Sequence, residues 1–172
     1  MRYRGFSLLE LMVAVTILGV MLAIGVPAFG ALIDSQRMDS AVNSLARGLN
    51  YARAEAVRRN RVVTVSPIDA NWDAGWRIYL DRNNNGTYDD DEILLRKDVP
   101  PAVSSINVTS SFAQYIRYNA QGETILLNGG FQAGTFTFCP VKPSAAGRKV
   151  VINRVGRVRT ERGAVSGGEC AG

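Results

Sequence analysis

The sequence predicts an α+β fold in which a long N-terminal α-helix packs on an antiparallel β-sheet domain. Two observations carry this expectation. From residue 6 to about residue 60 apolar side chains either run almost unbroken or recur at three- and four-residue steps, the period of a helix. From 62-VVTVS-66 onward short β-branched and aromatic runs alternate with Gly, Asn, Asp and Pro, the punctuation of strands and turns. At 172 residues, 47% of them hydrophobic, the chain is long enough for one globular core plus one further element.

The first element opens as 1-MRYRGFSLLELMVAVTILGVMLAIGVPAFGALID-34, with Arg2 and Arg4 ahead of an apolar run interrupted only by Glu10. The 23 uncharged residues between Glu10 and Asp34 match a bilayer core of roughly 30 Å at about 1.5 Å of helix rise per residue. The basic pair before the span and the polar bulk after it orient the N-terminus to the cytoplasm and the domain outside. A carboxylate at position 10 is costly in an apolar setting and needs a cation. Beyond Asp34, Met38, Val42, Leu45, Leu49, Ala52 and Ala56 keep one apolar face to about Arg59, while Gly25 and Pro27 are expected to kink the helix.

Gly5-Phe6 followed by 6-FSLLELMVAVTILGVMLAIGVPAF-29 resembles the prepilin signal and N-terminal helix of type IV pilins and type II secretion pseudopilins. The resemblance implies cleavage by prepilin peptidase between Gly5 and Phe6 and N-methylation of Phe6. It also implies pairing of Glu10 with the N-terminal amine of a neighbouring subunit during filament assembly. The implied organisation is a leader at 1–5, a helix at 6–60 with 6–33 in the membrane or filament core, and a β domain at 61–172 ending in a basic hairpin. The implied location is a single pass in the inner membrane with a periplasmic domain, and the cell surface once the subunit joins other major and minor pilins in a pilus.

Within the β domain, strands are expected at 75-GWRIYL-80, 92-EILLR-96, 104-SSINVT-109, 114-QYIRY-118, 123-ETILL-127, 134-GTFTF-138 and 149-KVVIN-153, besides 62–66. The segment 75-GWRIYLDRNNNGTYDDDEILL-95 resembles the GspH/FimT branch of these proteins, which extends the type IV pilin-like expectation over essentially the whole chain. Within it, Asp81, Asn83, Asn85, Gly86, Asp89 and Glu92 occupy positions 1, 3, 5, 6, 9 and 12 of a calcium loop. Strand-like flanks and an Asn-Gly pair make a metal-free turn the expectation, with calcium the alternative. Cys139 and Cys170 suit one disulfide outside the cytoplasm.

The charge is unevenly placed. Residues 142–162 hold Lys142, Arg148, Lys149, Arg154, Arg157, Arg159 and Arg162 against Glu161, a net of +6, whereas the rest of the chain nets −1. A local patch of this kind points to a polyanion. Read as strand, turn and strand, 148-RKVVINRVGRVRTER-162 puts Gly156 in the turn. Arg157 and Arg159 then fall on one face about 6.6 Å apart, with Val158 on the other. Guanidinium forks suit phosphate, so the expected partner is DNA bound without sequence preference. The expected contacts are Arg157 and Arg159, with Gly156 letting a backbone approach and Arg148, Lys149, Arg154 and Arg162 extending the surface. The segment 156-GRVR-159 also resembles the G-R-x-R motif of FimT-type minor pilins, which implies DNA capture during natural transformation. The alternative is a structural subunit of the FimU or GspH kind that initiates or caps a type IV pilus or a type II secretion pseudopilus. With no histidine and no nucleophile and base set, an enzyme is not expected, and neither is a cofactor.

Overall fold

A computed structural model gives the protein's structure at residues 7–101, 105–140, 146–163, 165 and 169–170. The expected cleavage point between Gly5 and Phe6 lies outside these residues. The chain divides into two units, residues 1–36 and residues 37–172. Helix α1, Leu8–Arg59, begins in the first and ends in the second, and it continues through Gly25 and Pro27 without a break.

In the first unit Ser7 caps the helix, its Oγ accepting the Glu10 backbone N–H at 3.3 Å. This places the Glu10 carboxylate in the first turn, the end where the helix dipole favours negative charge. Thr16 donates its hydroxyl to the Met12 carbonyl at 2.7 Å, which satisfies a polar group within an apolar stretch. Leu8–Gly25 has a mean hydropathy of 2.4 and no buried side chain, so it is long and apolar enough to cross a membrane.

In the second unit the expected stripe is the buried one. Met38, Val42, Leu45, Leu49, Ala52 and Ala56 pack, with Ala41, into a single core lined by residues of two sheets. The alanines and Gly48 permit close approach, since a Cβ at Gly48 would lie 3.0 Å from Trp76 Nε1. The helix stops at Asn60, which adopts φ +52°. Asn60 donates to the Val57 carbonyl and Arg61 to that of Ala56, the paired bonds of a Schellman end.

Strands β1 Val63–Ile68, β2 Asn71–Leu80, β3 Ile93–Asp98 and β5 Ile116–Tyr118 form one antiparallel sheet in the order β3-β2-β1-β5. Strands β4 Ser105–Val108, β6 Gly134–Cys139, β7 Gly147–Ile152 and β8 Val158–Gly163 form the other, in the order β4-β6-β7-β8. Alternation fixes the faces. Phe136, Phe138, Val150 and Ile152 enter the core, while Thr135, Thr137, Lys149 and Val151 look the other way. Cys139 at the end of β6 is bonded to Cys170.

One expected strand is reduced to isolated bridges. Residues 123–127 contribute only Tyr118↔Thr124 and Ile125↔Phe131. Their backbone groups serve other partners: Thr124 N–H donates to Arg154, Ile125 to Arg117, and Leu126 to Gly130 across a tight turn.

Candidate nucleic-acid interface

The hairpin joining β7 to β8 closes through three bonds made by one residue. Asn153 donates its N–H to the Arg157 carbonyl at 3.2 Å, accepts the Gly156 N–H on its own carbonyl at 2.9 Å, and accepts the Arg157 N–H on Oδ1 at 2.9 Å. Gly156 has φ +74°, the left-handed conformation a three-residue hairpin loop requires. It is also buried: a Cβ there would stand 2.1 Å from the Gly122 carbonyl oxygen. Gly156 therefore shapes the turn from inside and does not present its backbone to a ligand, which corrects its inclusion among the DNA contacts.

The tip is held from two further directions. Thr124 gives its N–H to the Arg154 carbonyl at 3.3 Å, and its hydroxyl lies 3.2 Å from the Asn153 carbonyl. Arg53 of α1 donates Nε to Gly122 at 2.9 Å and Nη2 to Val155 at 3.1 Å. Ordered backbone on both sides lowers the entropy that side chains at the tip must lose when they bind.

The expected basic residues divide by strand parity. Arg157 and Arg154 are exposed, and neither side chain has a hydrogen bond or ion pair among the described residues. Arg159 is also exposed and meets Glu161 at 2.8 Å, with side chains 72% and 44% accessible. Exposed pairs of that kind are worth about 0–1 kcal/mol, so the guanidinium stays available to a competing anion. Val158 turns inward against the core, which leaves Arg157 and Arg159 on the outer face.

Arg148 and Arg162 lie on the other face. They are cross-strand partners, and both reach Asp39 of α1, Arg148 Nε at 2.8 Å from Oδ1 and Arg162 Nη2 at 2.8 Å from Oδ2. Arg148 also donates to the Ala146 and Gly147 carbonyls and is only 8% exposed, so it belongs to the fold and not to an anion-binding surface. Its parity with Val150 and Ile152 is the sequence signal that marks it as internal. Lys149 is outward, paired to Glu169. Asp39, Arg53, Thr124 and Glu169 were not legible as site residues, because each reaches the hairpin across long sequence separations. Glu169 alone had an indirect cue, its place beside Cys170.

The loop with calcium-type spacing folds on its own bonds. Asp81 Oδ2 accepts from Thr64 Oγ1 at 2.9 Å and Gly86 N–H at 3.1 Å, and forms a buried ion pair with Arg117 Nε at 3.1 Å. Asn83 and Asn85 both turn their amide N–H groups to Asp89 Oδ2, at 2.7 and 2.9 Å. They thus point donors, not oxygens, at the carboxylate. Glu92 accepts the N–H groups of Arg82 and Asp89, while burial pushes its carboxyl above the usual range. The guanidinium of Arg117 supplies the positive charge a cation would bring. Among the described residues no group of three or more His, Cys, Asp or Glu side chains could hold a metal ion.

An apolar N-terminal helix leading into a helix-packed antiparallel domain defines a pilin-like subunit. The Type II transport protein GspH family model matches residues 41–156 and the prokaryotic N-terminal methylation motif matches residues 1–26. The chain belongs to the GspH family of type IV minor pilins and type II secretion pseudopilins. The crystal structure of the type IV minor pilin FimU from Pseudomonas aeruginosa superposes with a TM-score of 0.58 at 25% identity, covering 76% of this chain and 92% of that one. A second crystal form of FimU gives 0.55 at 26% identity, with 72% and 91% covered. The pilin-like protein PilA1 of Thermus thermophilus is 37% identical over 94 residues, 54% of this chain; the match spans 57% of the length of PilA1. Membership implies association with other pilins and processing by prepilin peptidase, and the apolar helix fits a membrane-anchored subunit. The GspH match ends at Gly156, so Arg157, Arg159 and Arg162 lie beyond it.

Proposed function

We propose that this minor pilin binds DNA without sequence preference through its β7–β8 tip and serves DNA uptake in natural transformation, as the resemblance of 156-GRVR-159 to the FimT motif implies. The observation that carries the reading is the outward display of Arg154, Arg157 and Arg159 on a hairpin whose backbone is held by Asn153, Thr124 and Arg53. Three guanidinium groups on an ordered tip suit phosphates spaced along a strand. The domain lies outside the inner membrane and reaches the surface in a pilus, cleavage falls between Gly5 and Phe6, and Glu10 pairs with a neighbour's terminal amine. The subunit is not an enzyme and works by binding.

The test is fluorescence anisotropy of labelled DNA, duplex and single strand, with the full chain in nonionic detergent. Arg157→Gln and Arg159→Gln are each expected to weaken binding and to flatten the log–log salt slope by about 0.9 per lost duplex phosphate contact. Unchanged affinity in the double variant would overturn the reading. A structural role in initiating or capping a pilus or secretion pseudopilus is the second reading, favoured by the likeness to FimU and by a family match that stops before Arg157.

A further inference from the structure

The outer face of the β4-β6-β7-β8 sheet forms a groove beside the hairpin tip, and the chain's own tail places an anion in it. Asn107, Thr137, Lys149 and Glu161 make one row across the four strands, and Thr135, Val151 and Arg159 make the next. Arg159, one of the tip arginines, therefore lines the groove as well. Against this face sits Glu169. Its carboxylate pairs with Lys149 Nζ, and its backbone carbonyl accepts from Asn107 Nδ2 at 2.8 Å. Cys170, the next residue, is bonded to Cys139 at the end of β6, which keeps that carboxylate close to the sheet.

We infer that this groove is a second phosphate subsite for DNA, continuous with Arg157 and Arg159, in which the Glu169 carboxylate occupies the Lys149 seat until a phosphodiester displaces it. The inference rests on the DNA reading of the tip. A carboxylate and a phosphodiester both present anionic oxygens to an ammonium group, so a site that holds one accepts the other. The Lys149 and Glu169 side chains are 26% and 40% accessible, so their pairing is screened by solvent and open to exchange. The hydroxyls of Thr135 and Thr137 in the groove can donate to the same phosphate. Free protein thus has its basic surface shortened by its own tail, and DNA that binds along the whole face must move that carboxylate aside.

The experiment compares Glu169→Gln with the parent, again as full chain in nonionic detergent with a labelled mixed-sequence duplex. Binding is expected to tighten about two- to fivefold at low salt, the worth of an exposed ion pair. The salt slope should also steepen, because the displaced Glu169 carboxylate of the parent takes up a cation that the amide does not, which offsets part of the counterion release at Lys149. Lys149→Gln in the Glu169→Gln background should cancel both changes. Asp90→Asn, which removes one exposed negative charge in the β2–β3 loop, controls for net charge and should give no comparable gain. An equal gain from Asp90→Asn, or no gain from Glu169→Gln while Arg157→Gln still weakens binding, would overturn the subsite and leave the tip reading standing. Absence of DNA binding by parent and variants alike would overturn both.

Discussion

Gly156 answers two demands at once, a left-handed backbone and the absence of any atom where Gly122 already places its carbonyl. A methyl group there meets backbone and not a movable side chain. Gly156→Ala is accordingly expected to cost at least about 2 kcal/mol, read as a fall in the thermal unfolding midpoint by circular dichroism. DNA affinity should fall with it, although no charge has changed, because Arg154 and Arg157 flank the displaced residue. The arginines separate at the same scale. Arg148 and Arg162 converge on Asp39 while Arg157 and Arg159 face out, and parity along β7 and β8 is what divides them. Composition alone sees seven cationic side chains in a net +6 segment.

At the scale of elements, α1 closes with a charge cluster as well as a backbone cap. Glu55, only 7% exposed, accepts from Arg58 Nε at 3.1 Å and Nη2 at 2.6 Å and from Arg59. The hydrogen bonds from Arg58 first, then the one from Arg59, hold its carboxyl below the ordinary value of 4.5, outweighing burial. A depressed carboxylate stabilises the fold at pH values above that ordinary value and loses the contribution as pH falls through the lower, folded-state one. Wild type minus Glu55→Gln should therefore show a constant stability advantage of about 1 kcal/mol above pH 5, vanishing on acidification. Thermal melts across pH 3–7 would read it, and a difference that grows toward acid would refute the assignment. The β elements were mostly legible because alternation and turn residues are local signals. Residues 123–127 were the exception: a β-rich run was diverted to brace the hairpin tip, and nothing inside the run announces that distant partner.

For the molecule as a whole, one core unites the second half of α1 with two sheets, and one covalent bond ties Cys170 to the end of β6. The sequence separation of 31 between Cys139 and Cys170 implies a stabilisation of about 3.7 kcal/mol from the smaller entropy of the cross-linked unfolded chain. Thiol reduction should lower the melting midpoint by several degrees, and an unchanged melt would show that the bond does not support the fold. Reduction also frees Glu169 to leave Lys149, so the tether bears on charge as well as stability.

The sequence by itself determined the helix, its apolar stripe, the change to strand period, the glycine turn and the clustering of positive charge near the C-terminus. These depend on neighbours one to four residues apart, and the chain writes them locally. Only the tertiary structure decided which cations remain available, because that depends on carboxylates brought from elsewhere. Asp39 comes to Arg148 from 109 positions away and Glu169 to Lys149 from 20, and Arg117 fills the charge of a loop that reads like a calcium site. A charge counted in sequence becomes a binding group only where folding leaves it at the surface without a stronger internal partner.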